Sequence, residues 1–290
     1  MAFGQMADAG TSEGRVLFFP LLFRLILKLE QIEWQEFLED RALSTFSVRN
    51  TQRLFRADAV VNWFDDWIEL ESAGARVNRD AFGRVTAVES LELSADPAAI
   101  MAAAPMRRMI EQAQRLVQEL GDKCAVAGYL TGPSTLAARA RGESSALAMP
   151  ALAGGHNDWS AASAVTSALA RELCEAGCKT LLVVEHEAVT PEAIEQCGAI
   201  INIAQYYDRT MTLLCRYPLS AELADTALRA GFVAVASPDV TRNITTINTA
   251  KLERDEFEPI PAGAGTIMTD WEVTLETLPE TLIRMREEVA

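Results

Sequence analysis

Asp65 closes an apolar run, Ala59-Val-Val-Asn-Trp-Phe64, and a carboxylate at the end of a buried strand is partly desolvated. Such a group can grip a substrate N–H or hold a proton, or it can cap the turn that follows. Asp66 beside it reads as a cap or a solvent-facing residue. Glu185-His186-Glu187 follows a second apolar run, Leu181–Val184. A histidine between two carboxylates should have a raised pKa and could act as acid, base or ligand, the alternative being a hydrogen-bonded loop residue. Gly132-Pro-Ser134-Thr135 has the composition of a tight strand-to-helix turn. Its N–H groups could receive an anion or a carbonyl oxygen, or be capped by Ser134 or Thr135. Cys215 ends a third apolar run, where a thiol is either an inert packing residue or a metal ligand. Asp239 with Arg242 reads as a rim ion pair or substrate clamp, and Asp270 closes the last apolar run. His156, the one other histidine, sits in Gly154-Gly-His-Asn-Asp158 and reads as a loop or helix start.

These positions share one property: each lies at or just beyond the end of a predicted strand. Short apolar runs predict strands over Val16–Phe19, Ala59–Phe64, Ala125–Leu130, Thr180–Glu185, Met211–Cys215, Val233–Ser237, Asn243–Asn248 and Thr266–Thr269. Between them, helical patterns span Leu22–Asp40, Ala98–Leu120, Asp158–Ala176, Pro191–Tyr207, Ala221–Ala230 and Pro279–Glu288, with Gly121, Gly177 and Gly231 just past three of their ends. Eight strands alternating with helices predict a (β/α)8 barrel, with an open doubly wound sheet as the other solution. Ala75–Leu93 alternates across a turn at Ala81–Gly83 and predicts a β-hairpin inserted after the Asp65 loop. The expected organisation is a flexible stretch over Met1–Gly14 and a single domain from Arg15 to Ala290.

Four blocks resemble the uroporphyrinogen decarboxylase and corrinoid-dependent methyltransferase superfamily. They are Asp58-Ala-Val-Val-Asn-Trp-Phe-Asp65 with Ile68 to Val77 after it, Gly128-Tyr-Leu-Thr-Gly-Pro-Ser-Thr-Leu-Ala137, Leu173-Cys-Glu-Ala-Gly-Cys-Lys-Thr-Leu-Leu-Val-Val-Glu185, and Thr269-Asp-Trp-Glu-Val-Thr-Leu-Glu-Thr-Leu-Pro-Glu280. Their order and spacing carry the resemblance over about four-fifths of the chain. It implies a barrel with the reactive centre at the C-terminal ends of the strands, and an anchoring role for Asp65. It also marks departures. Arg139 stands where the decarboxylases place a tyrosine, and Trp271 where they place a histidine. The arginine-rich loop that binds their substrate's carboxylates has no counterpart between Phe19 and Trp34. In the corrinoid-linked methyltransferases a histidine–x–cysteine and a late cysteine bind zinc; here those positions are Leu213, Cys215 and Trp271. The standard zinc site is therefore not expected, and a rebuilt one would need Cys215, His186 and Glu185 together.

Composition limits the partners. The 290 residues carry a formal charge of −15, which repels nucleic-acid phosphates and makes a poor host for a highly anionic porphyrinogen. Val16 to Leu29 is apolar but interrupted by Pro20, Arg24 and Lys28, so no membrane span or export signal is expected. Five cysteines without a CxxC pair suit a reduced, cytoplasmic protein, with Cys174 and Cys178 as packing residues. The expected activity is methyl transfer between a small substrate and a corrinoid or similar carrier, and the expected partners are a second copy in a homodimer and a corrinoid protein. The alternatives are decarboxylation of a small carboxylate bound by Arg139 or Arg242, and a non-catalytic binding protein. Substrate contacts are expected from Gly132, Ser134, Thr135, Arg139, Asp239, Arg242, Asp270 and Trp271, and acid–base work from Asp65, Glu185 and His186.

Overall fold

The computed structural model describes residues 16–90, 96–141, 159–257, 260 and 264–289. His156 and the stretch 1–14 lie outside them. Among the described residues there are eleven strands: β1 (Leu17–Phe19), β2 (Ala59–Val61), β3 (Arg76–Arg79), β4 (Val85–Ser90), β5 (Ala125–Thr131), β6 (Thr180–Glu185), β7 (Thr210–Cys215), β8 (Ala234–Ala236), β9 (Thr241–Arg242), β10 (Thr245–Ile247) and β11 (Thr266–Thr269). They form a six-stranded sheet in the order β2-β5-β6-β7-β8-β9, a three-stranded sheet β1-β11-β10, and the hairpin β3-β4. Every pairing in the two larger sheets is parallel except β8 with β9. The architecture is alternating α/β with mixed sheets, and neither sheet closes into an eight-stranded ring. A backbone bond from Asp58 N to Phe18 O, at 2.8 Å, ties the start of β2 to β1.

The central strands β5 and β6 are buried along their whole length, as parallel strands covered on both faces must be. Their register places Thr131 opposite Val184 and Glu185 opposite Cys215, so strand-end residues arrive at one level. The predicted hairpin is present, with Asp80 Oδ1 accepting the N–H groups of Phe82 and Arg84 at 2.9 Å to turn the chain. Gly83 is fixed there twice over: its φ is +77°, and an added Cβ would stand 2.3 Å from the Trp34 ring.

Four expectations about helices change. The pattern over Leu22–Asp40 divides into Arg24–Glu30 and Trp34–Glu39, because Gln31 turns left-handed at φ 55°. Ala98–Leu120 and Pro191–Tyr207 each break in two, at Ala103 and at Cys197. The helix Arg41–Phe55 was not expected at all. Its buried face is largely small and polar (Ser44, Thr45, Ser47, Thr51), so it shows little apolar periodicity, while Asp40 caps it through Ala42 N and Leu43 N at 2.9 Å. Of the three helix-ending glycines, Gly177 and Gly231 are left-handed, whereas Gly121 stays right-handed at φ −56°. No helix among the described residues is long and apolar enough to cross a membrane.

Candidate active site

Asp65 leaves β2 into a site with no exposed side-chain surface, held by two arginines. Arg79, from the hairpin, donates to its Oδ2 at 2.7 Å, and Arg24 approaches its Oδ1 at 3.5 Å. Each arginine has a second carboxylate. Arg79 also pairs with Glu71 at 2.5 Å, and Arg24 with Glu272 at 2.5 Å. The result is a partly buried chain of five charges centred on the fully buried Asp65, Glu71–Arg79–Asp65–Arg24–Glu272, that ties the hairpin, the β2 loop, the first helix and the segment after β11 together. Arg79 also lies over Trp34, with its guanidinium carbon 5.0 Å from the ring centroid.

Asp66, expected to be a cap or a surface residue, is buried and central. It forms an ion pair with Arg139, and its Oδ2 lies 3.3 Å from His186 Nδ1. Burial alone would raise its pKa, but His186, Arg139 and Arg24 outweigh burial and hold the carboxyl below the usual value. Arg139 is therefore neither a surface arginine nor a free carboxylate binder: it is committed to Asp66 and stacks over Trp67 at 4.8 Å.

His186 reverses its expected electrostatics. Neither flanking glutamate is its acidic neighbour. Burial pushes its pKa down to about 4, the attraction of Asp66 opposes this, and Arg139, Arg216 and Arg24 lower it further. The ring is neutral at pH 7. Asp66 can only accept, so the consistent tautomer carries its hydrogen on Nδ1, leaving Nε2 to accept from the Tyr129 hydroxyl 3.4 Å away. Trp271 packs edge-on against the ring with centroids 4.9 Å apart, Phe64 lies behind both, and the Arg216 guanidinium stands 5.8 Å over Trp271.

Glu185 takes the place foreseen for an incoming anion. Its carboxylate accepts Ser134 N at 3.1 Å, Thr135 N at 2.8 Å and Thr135 Oγ1 at 2.7 Å, so the start of helix Pro133–Ala140 is capped from the neighbouring strand. The N-cap residue is Gly132, and neither Ser134 nor Thr135 caps through its own side chain. Thr135 Oγ1 in turn accepts His186 N at 2.7 Å, so Glu185 positions the histidine backbone through Thr135. Burial pushes Glu185 up to about 7, against the pull of these hydrogen bonds. A Cβ on Gly132 would meet the Glu185 carboxyl carbon at 2.1 Å. Because Gly132 has ordinary backbone angles (φ −66°, ψ 152°), the conflict is purely steric. Gly132→Ala is expected to cost about 1–3 kcal/mol in urea unfolding, and a loss below the error of the measurement would show that Glu185 can move aside.

Tyr129 and Thr131 occupy one face of β5, and neither was singled out from the sequence. Glu69, on helix Ile68–Ala73, accepts Thr131 N at 3.0 Å and Thr131 Oγ1 at 2.8 Å. It is buried, and burial raises its pKa to about 7 against those hydrogen bonds. A β-strand period of two would have paired Tyr129 with Thr131; nothing in the sequence pattern places Glu69 beneath them.

The remaining expected positions divide. Asp270 stands beside the group but is occupied by Thr249, whose N and Oγ1 both donate to its Oδ1 at 2.9 Å. Arg242 does not clamp with Asp239. It lies on β9, which folds back antiparallel on β8, and pairs with Asp225 at 2.8 Å, while Asp239 is exposed. Cys215 is buried at the end of β7, and burial, with Glu185 and Cys197 nearby, raises its thiol well above the ordinary value. Among the described residues no three His, Cys, Asp or Glu side chains come together as a metal site. A cavity of about 660 Å³ lies beneath the hairpin, lined by Trp34, Leu38, Ile68 and Asp80 and by Glu71 and Arg79 of the charge chain.

The raised and lowered groups set a pH dependence of stability. Glu69 and Glu185 bind protons more tightly when folded, so their contribution is complete below about pH 4.5 and is lost as pH rises through about 7. His186 is the opposite case, its contribution being complete above its unfolded value near 6.5 and lost as pH falls through about 4. Between pH 5 and 7 two carboxyls oppose one imidazole. Urea unfolding is therefore expected to show the protein more stable at pH 5 than at pH 7, by on the order of 2 kcal/mol. Equal stability at the two values would contradict the burial of both glutamates.

No family model and no curated protein matches the chain. Among solved structures, a methyltransferase from Methanosarcina mazei superposes with a TM-score of 0.72, covering 98% of this chain and 97% of the other at 13% identity. The chain is similar in fold to that methyltransferase. At this identity the likeness shows the fold, a methyltransferase-like α/β architecture, and does not show membership of the uroporphyrinogen decarboxylase family. An archaeal fructose-1,6-bisphosphate aldolase also aligns over 98% of this chain and 99% of its own, at 9% identity, but its TM-score of 0.32 carries no argument.

Proposed function

We propose that this chain is a methyl-transfer enzyme of the uroporphyrinogen decarboxylase superfamily, with its two parallel sheets as arcs of one (β/α)8 barrel. The observation that carries the reading is the buried neutral His186, fixed between Asp66 and Tyr129 at the C-terminal strand ends. That end of a parallel α/β fold is where chemistry is built. The fold likeness to a methyltransferase and the four sequence blocks support the same class.

In this reading a small substrate with an S–H, N–H or O–H group enters beside Trp271. Its lone pair forms the new bond to the methyl carbon, and the methyl–carrier bond breaks with its electron pair staying on the carrier, a corrinoid or similar group. The proton lost by the substrate goes to His186 Nε2. The 3.4 Å Tyr129 contact there is long for an O–H···N bond, so a substrate proton can compete for that nitrogen. Asp66 stabilises the imidazolium that forms, Arg139 keeps Asp66 ionised, and Glu185 holds the backbone at His186 through Thr135. Asp65 serves as the charge that orders Arg24 and Arg79 rather than as a base. The test is to mix the protein with methylcobalamin and a panel of thiols and amines, following the corrinoid absorbance. Demethylation that depends on one nucleophile supports the reading, and an unchanged spectrum with all of them overturns it.

A second reading, a non-catalytic binding protein, draws on one observation: Asp65 and Glu185 are both spent on internal partners, and Trp271 covers His186. Binding of cobalamin or a porphyrinogen without turnover would favour it.

A further inference from the structure

His186 and three further side chains form a continuous polar line that begins at Nε2, the nitrogen that the substrate's proton reaches. From Nε2 the line runs to Tyr129 Oη at 3.4 Å, on to Thr131 Oγ1 at 3.4 Å, and to Glu69 Oε2 at 2.8 Å. All four residues are buried, and the two hydroxyl bearers sit at i and i+2 on one face of β5. We propose that Glu69 is the internal proton acceptor of this site, receiving from His186 the proton that the substrate loses, through the hydroxyls of Tyr129 and Thr131. The proposal rests on the reading of His186 as the base.

The transfer balances. In this structure Thr131 Oγ1 donates to Tyr129 Oη, so both hydroxyls must first turn. Protonated Nε2 then gives its hydrogen to Tyr129 Oη, Tyr129 gives its own to Thr131 Oγ1, and Thr131 gives its own to Glu69 Oε2. Each hydroxyl gains one hydrogen and loses one, the imidazole returns to neutral, and Glu69 ends as the acid. Both 3.4 Å links must shorten by some tenths of an ångström for this, well within side-chain motion on the nanosecond scale. The direction is favourable, since His186 is pushed down to about 4 while Glu69 is pushed up to about 7. The groups facing His186 are Asp66 from the β2 loop, Arg139 from helix Pro133–Ala140, Arg216 beyond β7 and Arg24 from the first helix, three of them cations that resist a resident positive charge. Glu69 faces Asp65 across the β2 loop and Tyr129 and Thr131 from β5; the main pull towards its ionised form comes from the Thr131 hydrogen bonds, and Asp65 pushes the other way. A proton left on the imidazole would block the next turnover; one held by Glu69 would not.

The chain has two histidines, so a His156→Gln background leaves His186 as the single imidazole for ¹⁵N NMR. The expected signature is a step in the His186 nitrogen shifts with a midpoint near pH 7, arising when Glu69 ionises and the hydroxyls reverse. That step should vanish in Glu69→Gln and in Thr131→Val, and persist in Glu185→Gln. A step that survives Glu69→Gln or Thr131→Val, or that disappears in Glu185→Gln, overturns the proposal. Thr131→Val keeps the test decisive where Glu69→Gln does not fold. Full methyl transfer by His186→Gln would instead sink the base assignment, while leaving the NMR step in the native protein as evidence of the buried connection.

Discussion

Asp65→Ala is expected to destabilise the protein by about 3–5 kcal/mol, measured by urea unfolding at pH 7. The magnitude comes from what is left behind rather than from the attraction lost. Arg24 and Arg79 are largely shielded from water beside Asp65, at 12% and 9% side-chain exposure, and after the change Arg79 is left with Glu71 while Arg24 is left with Glu272 and the nearby Asp66. A guanidinium cannot shed its proton to escape a low-dielectric site, so the penalty falls on folding. Asp65→Asn keeps an acceptor for Arg79 and should cost less than the alanine variant. If alanine cost under 1 kcal/mol, the two arginines would have to reach water, and the rigid charge chain described above would be wrong.

His186→Gln is expected to lower methyl-transfer turnover by about 10²–10⁴-fold while leaving substrate affinity within a few-fold. Glutamine can keep a hydrogen bond to Asp66 but cannot take up a proton. Because the imidazole is already neutral, the loss should be equally large at pH 6, 7 and 8, with no recovery at high pH. A large change in KM with turnover intact would instead make His186 a binding residue. Asp66→Asn should lower turnover as well, since it removes the anion that stabilises the imidazolium.

The parts of the fold that could be read from sequence were those in which apolar residues declare themselves. β6 and β11 fall where the runs Thr180–Glu185 and Thr266–Thr269 predicted them, and the hairpin turn is at Ala81–Gly83, where alternation placed it, closed by Asp80 and Arg84. The helix Arg41–Phe55 was hidden because serine and threonine do its packing, closing their hydroxyls on backbone carbonyls one turn back, as Thr45 does with Arg41 O and Ser47 with Leu43 O at 2.8 Å. Closure of the sheets into one barrel was likewise an inference from eight strand signals, whereas the hydrogen-bonded sheets are two.

At the site, position was legible and partnership was not. Strand-end logic singled out Asp65, Glu185 and His186, and all three are buried at that end of the fold. Sequence adjacency then misled. His186 was paired with its neighbours in the chain, yet Glu185 is occupied by the Pro133–Ala140 helix start, and the carboxylate at His186 comes from Asp66 on another strand's loop. Asp66 was set aside for being next to Asp65, when the two diverge to separate arginines. Glu69 and Tyr129 lie inside two of the quoted blocks, but nothing in those blocks sets them apart: their importance comes from depth and from the Thr131 hydroxyl between them.

The five-charge chain also bears on how modular this scaffold is. Insertions at the rim of an α/β fold are commonly exchanged between relatives to alter specificity, and the hairpin would seem an obvious cassette. Arg79 makes it something else. Excising the cassette would remove a cation that the body of the fold has already matched with Asp65 and Glu71, so a transplanted replacement must bring its own guanidinium to the same spot. Diversification here is confined to the outward face of the hairpin, and its inner face is inherited with the strand it leans on.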